Sequence, residues 1–261
     1  MRKKIIFLAA LAAFFCNCLN TDMVRAAGST DDIVPSPSLP KTEELVFKIK
    51  WLCVPVGTIT ARINGIKKIN GRDAYEFVII AKTNDFCSRI YRVEDRYVSY
   101  MDAISLHTLR HEVYRREGRY KKDAVTDFDQ LNHKAYFRNS LDKTSKVVDI
   151  PARVQDPISI AYYFRLVPLK VGEMKKYSVY NNESVYQLYG LIDKKTFIKT
   201  KNFGIKEVFH VQPYAKLKGE VVKKGTASAY FSCDGKRVPI IGMVKGPVFT
   251  EVVAYLMSSS N

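Results

Sequence analysis

The stretch that decides the fold is Leu45-Val46-Phe47-Lys48-Ile49-Lys50-Trp51. Apolar side chains occupy every second position of it, and two lysines stand between the last three of them. Successive side chains of a β-strand point to opposite faces of its sheet, so this period of two is typical of a strand that buries one face. We therefore predict a half-buried strand at the start of the folded region.

The same alternation continues along most of the chain and predicts many short strands. They cover residues 58–63, 74–82, 91–101, 109–116, 120–128, 176–180, 185–192, 208–212, 227–231, 238–245 and 249–256. Asn70-Gly71 and Asp234-Gly235 predict hairpin turns, because these residues tolerate positive φ. The pattern indicates an all-β protein: a curled antiparallel sheet, a barrel or a sandwich.

One segment departs from this period and predicts a short helix over about 157–167. Asp156 suits the N-cap, and Pro157 suits the first helical position. Ile160, Phe164 and Val167 are spaced to form an apolar stripe on one side of a helix. We expect this helix to dock on the sheet.

The N-terminus predicts export. Basic residues at 2–4, an apolar run at 5–15 and the small-x-small pattern Val24-Arg25-Ala26 are typical of a signal peptide over residues 1–26. Prolines and serines predict a disordered linker over 27–41. A single β-rich domain is predicted over 42–258, and no later stretch is long enough for a membrane span.

The cysteines leave two alternatives open. Cys16 or Cys18 could become the lipid-modified start of a lipoprotein, although neither follows a small residue. In the mature chain Cys53, Cys87 and Cys233 could form one disulfide or remain free thiols.

The charge is strongly basic, with 42 Lys and Arg against 26 Asp and Glu. An exported protein with this balance is attracted to anionic lipid, lipopolysaccharide or acidic glycan, and nucleic acid is not expected as its partner. The alternative is solvated charge that keeps the protein soluble.

No catalytic motif is present: the sequence has no nucleophile elbow, phosphate-binding loop or dinucleotide fingerprint. His107 and His111 lie on a predicted strand, too far apart along it for a shared metal ion. We therefore expect no enzyme, no catalytic residues, no metal and no cofactor.

A dense cluster of basic residues surrounds the predicted turn at Gly118. The candidate binding residues for an anionic ligand are Arg115, Arg116, Arg119, Lys121 and Lys122. Guanidinium groups recognise phosphate and carboxylate through paired hydrogen bonds, and Tyr114 and Tyr120 lie among them. The alternative is an exposed hairpin tip, which is usually charged in any case.

Several segments together resemble a bacterial protein family. They are FKIKW at 47–51 with VGT at 56–58, YVSYMD at 97–102, QDPIS at 155–159 followed by YYFR at 162–165, RVPI at 237–240 and VFTEV at 248–252. In this order the chain resembles the domain of unknown function 3108 family, whose members are exported, β-rich envelope proteins. The resemblance implies fold and location, and it implies no activity.

We expect a non-catalytic binding or carrier module for a lipid, an amphiphile or an anionic envelope polymer, in the periplasm or at the outer-membrane periphery. Inward aromatic side chains would then fill a core or line a cavity. The alternative is a structural or assembly factor that binds an envelope protein, for example along a sheet edge.

Overall fold

The computed structural model describes residues 38–222, 226–246 and 250–260. These residues form fifteen strands and two short helices. In chain order they are β1 (Thr42–Trp51), β2 (Val54–Ile69), β3 (Arg72–Thr83), α1 (Asp85–Ile90), β4 (Glu94–Asp102), β5 (Thr108–Glu117), β6 (Tyr120–Asp129), β7 (Lys134–Asn139), β8 (Thr144–Asp149), α2 (Ser159–Leu166), β9 (Met174–Asn181), β10 (Ser184–Thr200), β11 (Gly204–Leu217), β12 (Glu220–Val221), β13 (Thr226–Ser232), β14 (Pro239–Gly246) and β15 (Thr250–Ser260).

All strands belong to one antiparallel sheet in the order β8-β7-β6-β5-β4-β3-β2-β1-β15-β14-β13-β11-β10-β9, with β12 beside β11. The first and last strands therefore pair with each other in the middle of the sheet. Neighbours in the sheet are mostly neighbours in sequence, as hairpin connections require.

The alternation in β1 is realised as expected over most of its length. Leu45, Phe47 and Ile49 are buried, whereas Trp51 lies at the strand end and its side chain is 44% exposed. The prediction that Trp51 shares the buried face is thus wrong, because the β1–β2 turn begins beside it and leaves the sheet.

The sheet curls around α2, and this confirms the predicted fold class. Tyr162 of α2 stacks on Phe77 of β3 with ring centroids 3.9 Å apart, and Phe164 contacts Phe231 of β13 at 5.3 Å. One helix thereby packs against both halves of the sheet. The sheet is not closed, since its edge strands β8 and β9 do not pair with each other.

A short extended segment between β8 and α2 bridges the two halves. Gln155 donates its N–H to Ser178 of β9 at 3.0 Å, and Thr108 of β5 donates its N–H to Val154 at 3.4 Å. These bonds satisfy backbone groups that would otherwise be buried without partners.

The predicted helix begins two residues later than expected, at Ser159. Asp156 nevertheless supplies the capping acceptor, because its Oδ1 accepts from the N–H groups of Ile158 at 2.7 Å and Ser159 at 3.2 Å. Ile160 and Phe164 are buried as the stripe predicts.

Three features were not predicted correctly from the sequence. Helix α1 was missed, although Asn84 caps it by accepting the N–H of Cys87 at 2.8 Å. Strands β7 and β8 were also missed. Asp234-Gly235 lies within a longer connection over 233–238 and does not form a two-residue turn.

The expected signal peptide, Cys16, Cys18 and linker residues 27–37 lie outside the described residues. Within the described ranges, no helix is long and apolar enough to cross a membrane. Cys53, Cys87 and Cys233 are free thiols in this structure.

Candidate functional site

Three connections meet at one end of the curled sheet. Asn84, which precedes α1, donates its N–H to Val56 at 3.0 Å and its side-chain amide to Pro55 at 2.8 Å. Gly118 in the β5–β6 turn donates its N–H to Arg92, just after α1, at 2.8 Å. We call this region, comprising residues 51–55, 84–93 and 117–121, the α1 end.

Exposed apolar side chains are concentrated at the α1 end. The exposed fractions are 44% for Trp51, 45% for Leu52, 56% for Val54, 70% for Phe86 and 77% for Ile90. No residue of α1 is fully buried: Cys87 packs against the core while half-buried, and Phe86 and Ile90 of the same helix remain exposed. A group of large apolar side chains left in water marks an interaction site more often than a scattered surface residue does.

The connections at the α1 end also carry basic side chains. Arg89 in the last turn of α1, Arg119 and Lys121 are exposed, and none of them has an ion-pair partner among the residues that the structure describes. Arg92 is also exposed but is bonded to Glu94 at 2.7 Å. The α1 end therefore combines apolar tips with unneutralised positive charge.

The five predicted binding residues lie on the β5–β6 hairpin, but they divide between its two faces. Arg115 pairs across the strands with Lys122, and Arg116 pairs with Lys121. Directly opposed residues share a face and adjacent residues do not, so the two pairs point in opposite directions. The sequence could not distinguish this split from a convergent cluster.

Three of these five residues are engaged within the protein. Arg115 donates from Nε to Glu117 at 2.5 Å, and Arg116 binds Asp123 through two hydrogen bonds of 2.5 and 2.9 Å. Lys122 lies 4.9 Å from the ring centre of Phe137, and burial lowers its pKa. The anionic site stays a prediction. Of its five residues, Arg119 and Lys121 are the two whose charge has no ion-pair partner among the described residues.

One apolar cleft formed by described residues offers little space for a ligand in this conformation. An apolar cleft beneath α2 spans about 380 Å³, part of it open to solvent, but the cavity it encloses is only about 20 Å³. It is lined by Ile160, Phe164, Tyr177, Leu188, Pro213 and Phe231, among others. Such a volume holds about one water molecule and no acyl chain.

No group of three or more His, Cys, Asp or Glu side chains in the described ranges is arranged to hold a metal ion. The sequence-based expectation of no metal and no cofactor remains a prediction. The apolar group at the α1 end was missed because Trp51 fits the alternation of β1 and α1 is too short for a helical period. The run of apolar residues that continues past Trp51 was the available signal.

The chain belongs to the DUF3108 family of proteins of unknown function, whose model matches residues 46–244. This confirms the resemblance drawn from the sequence segments. No curated protein matches the chain.

Solved structures support the fold. The chain is similar to a beta-barrel-like protein of the domain of unknown function DUF1849 from Brucella abortus, with a TM-score of 0.59, 7% identity, and coverage of 85% of this chain and 98% of that one. A candidate lipoprotein from Parabacteroides distasonis gives a TM-score of 0.37 at 9% identity, covering 88% of this chain and 100% of that one. A candidate exported protein with a YmcC-like fold from Bacteroides fragilis gives a TM-score of 0.32 at 9% identity, covering 87% of this chain and 100% of that one. Only the first likeness is high enough to bear on the fold.

Proposed function

We propose that this chain is a binding module of the cell envelope that attaches through its α1 end to the surface of an anionic membrane. The observation that carries the proposal is the exposure of Trp51, Leu52, Val54, Phe86 and Ile90 at one end of the molecule. These side chains lie on two connections, residues 51–55 and 84–93, which Asn84 joins by hydrogen bonds to Val56 and Pro55, so they form one group and are not scattered over the surface.

The energetics favour the interface between lipid headgroups and acyl chains. Transfer of one large apolar side chain out of water yields about 1.5–3 kcal/mol when its burial is complete. Each basic residue close to an anionic surface adds about 1 kcal/mol. Arg89, Arg119 and Lys121 belong to the same end of the sheet as the apolar group, so both contributions would act at that end.

Export supports the same proposal. The predicted signal peptide would deliver the chain to the envelope, where anionic lipid and lipopolysaccharide are abundant partners for a protein of net charge +16 before processing. The described cleft beneath α2 encloses only about 20 Å³ and by itself gives no support to a carrier role with lipid inside the sheet.

A second candidate function is assembly with an envelope protein through the edge of the sheet. Within the part of the chain that the structure describes, strand β8 pairs only with β7, and its side chains are exposed at nearly every position, including 56% for Val147. An edge of this kind can receive an extended segment of another chain.

Liposome co-sedimentation tests the membrane proposal. The mature protein is expected to bind vesicles containing an anionic phospholipid more tightly than vesicles of phosphatidylcholine alone. The paired change Phe86→Ser and Ile90→Ser is expected to weaken binding at least 10-fold without altering the melting temperature by more than a few degrees, because neither side chain is buried.

A matched control lies on the β10–β11 hairpin, where Phe197 and Ile205 are 71% and 69% exposed. The paired change Phe197→Ser and Ile205→Ser removes the same side chains from a different place and should leave binding unchanged. Equal losses in both double variants would show that the α1 end has no special part, and absence of vesicle binding by the unaltered protein would refute the proposal.

A further inference from the structure

Three neighbouring strands bring together an aspartate, a histidine and a serine. Asp193 lies on β10, His210 on β11 and Ser228 on β13. The Asp193 Oδ2 is 2.8 Å from His210 Nδ1, and the Ser228 Oγ is 3.1 Å from His210 Nε2. Each ring nitrogen of the imidazole thus has its own hydrogen-bond partner.

The order of these contacts fixes the protonation pattern of a neutral imidazole. The carboxylate of Asp193 can only accept, so Nδ1 carries the proton and donates it. Nε2 is then an acceptor, and the hydroxyl of Ser228 donates to it. This is the arrangement in which a histidine can remove the proton of a serine, with the carboxylate holding the ring in the required tautomer.

The surroundings hold the ring in place and leave the serine accessible. His210 is 8% exposed and stacks on Tyr230, with ring centres 4.7 Å apart. Asp193 stands at the irregularity of β10 between Ile192 and Lys194, which turns an additional side chain toward the histidine. Ser228 is only partly buried, so a substrate could approach its Oγ.

The neighbouring strand supplies a cation and apolar contacts. Met243 of β14 lies directly opposite Ser228, and Lys245 lies two residues further along on the same face. The charge of Lys245 is close enough to affect the hydroxyl of Tyr230, whose pKa is raised mainly by burial and is lowered in part by this lysine. Lys245 forms an ion pair of 3.2 Å with Glu251 of β15, so the stabilisation that its charge could give to an oxyanion is reduced by that carboxylate.

We propose that Ser228 is the nucleophile of an acyl-transfer site for carboxylic esters with an apolar acyl group, with His210 as general base and Asp193 as the positioning residue. The Oγ of Ser228 attacks the ester carbonyl while its proton passes to Nε2 of His210. The carbon–oxygen bond to the alcohol breaks, and the alcohol leaves with that proton. Water then attacks the acyl-serine, gives a proton to Nε2, and releases the acid as Ser228 regains its hydrogen.

This inference goes beyond membrane attachment and departs from the expectation that the chain is no enzyme. Asp193 and His210 are 17 positions apart in sequence, and His210 and Ser228 are 18 apart, so no short sequence motif contains them. Along the sheet, Ser228 pairs with Met243, Met243 with Val253 and Val253 with Lys50, so three strand spacings, about 14 Å, separate the serine from β1.

The first experiment uses a fluorophosphonate probe on the mature protein, with the labelled peptide located by mass spectrometry. Labelling is expected at Ser228, and it should be lost in Ser228→Ala and fall at least 100-fold in rate in His210→Gln, as for removal of a general base. Hydrolysis of p-nitrophenyl butyrate should follow the same pattern. Ser145→Ala, which alters an exposed serine on β8, is the matched control and should change neither.

Asp193→Asn should lower kcat while leaving KM nearly unchanged, since the carboxylate acts through the histidine and does not contact substrate. Because a variant at His210 could disturb the sheet, Ser228→Cys provides a second measurement. The introduced thiol should be alkylated by iodoacetamide at a pH well below that of an ordinary cysteine, whose pKa is about 8.5.

The proposal is overturned if the probe does not label Ser228, if labelling is insensitive to His210→Gln in folded protein, or if the introduced thiol titrates as an ordinary cysteine. Loss of vesicle binding with intact esterase activity would instead count against the α1 end alone, so the two proposals fail separately.

Discussion

The guanidinium of Arg165 and the carboxylate of Glu43 face each other in the core through two hydrogen bonds of 2.6 and 2.8 Å, although 122 positions separate them. Both side chains are at most 2% exposed. The pair joins the first strand to α2, and Arg165 also donates from Nε to the carbonyl of Lys236 at 3.2 Å. It therefore fixes the position of the helix within the curled sheet.

Removing one partner should be costly, because the other charge then stays buried without compensation. We expect Arg165→Met to lower the free energy of unfolding by about 3–5 kcal/mol, and Glu43→Leu combined with Arg165→Met to recover much of that loss. Urea denaturation provides the measurement. The control is Arg62→Met. Arg62 of β2 forms an exposed ion pair of 2.5 Å with Glu44, the neighbour of Glu43 on β1, and loss of this pair should cost at most about 1 kcal/mol. Equal costs at the two pairs would contradict the structure.

The basic residues of the β5–β6 hairpin should fall into two groups, one that contributes to membrane binding and one that contributes to stability. Arg119→Ser with Lys121→Ser is expected to weaken binding to anionic vesicles, most visibly at low salt, and to leave the melting temperature nearly unchanged. Arg115→Ser should lower the melting temperature, because the side chain of its partner Glu117 is only 8% exposed. Calorimetry and vesicle binding on the same variants test this, and a larger binding loss in Arg115→Ser would reverse the assignment.

Asp95 should make the protein less stable as the pH rises toward neutrality. Burial raises the pKa of Asp95 to about 6, against an ordinary value near 3.8. The protonated form is thus favoured in the fold, and this contribution is fully present below the unfolded pKa and is lost as the pH rises through about 6. At pH 7.5 we expect Asp95→Asn to increase the free energy of unfolding by about 1–3 kcal/mol.

At pH 4 the same substitution should have little effect, because Asp95 is then protonated in the folded protein. Its Oδ1 accepts the N–H of Arg116 at 2.6 Å, a bond that the asparagine oxygen can retain. A destabilising effect at pH 7.5 that equals the effect at pH 4 would exclude a buried carboxylate as the cause.

His111 should have the opposite effect to Asp95 and make the protein less stable as the pH falls. Burial lowers its pKa, and its Nε2 has no hydrogen-bond partner among the described residues. A base with a depressed folded pKa contributes stability above its unfolded pKa near 6.5, and this is lost as the pH falls below that value. We expect His111→Leu to flatten the decline of unfolding free energy between pH 6.5 and 5, whereas His133→Asn, which changes an exposed histidine, should not.

Local patterns were sufficient for most of the strands and for the docked helix, although β7 and β8 were missed. The alternation at 45–49, the turn at Asn70-Gly71 with φ of 49° and 79°, and the stripe of Ile160 and Phe164 were all readable from residues close together in sequence. These features depend on backbone preferences and on which face meets the core, and both repeat at short range.

The candidate surfaces were decided only by the tertiary structure. Trp51 and Phe86 are brought to one end by turns of different hairpins, and Ser228 reaches His210 only because β13 pairs with β11 in one particular register. Similarly, the basic hairpin residues were identified as a cluster, but strand pairing divides them between two faces. Sequence fixes the period of each strand, whereas the neighbours of a side chain across strands follow from pairing and curvature, which no local pattern records.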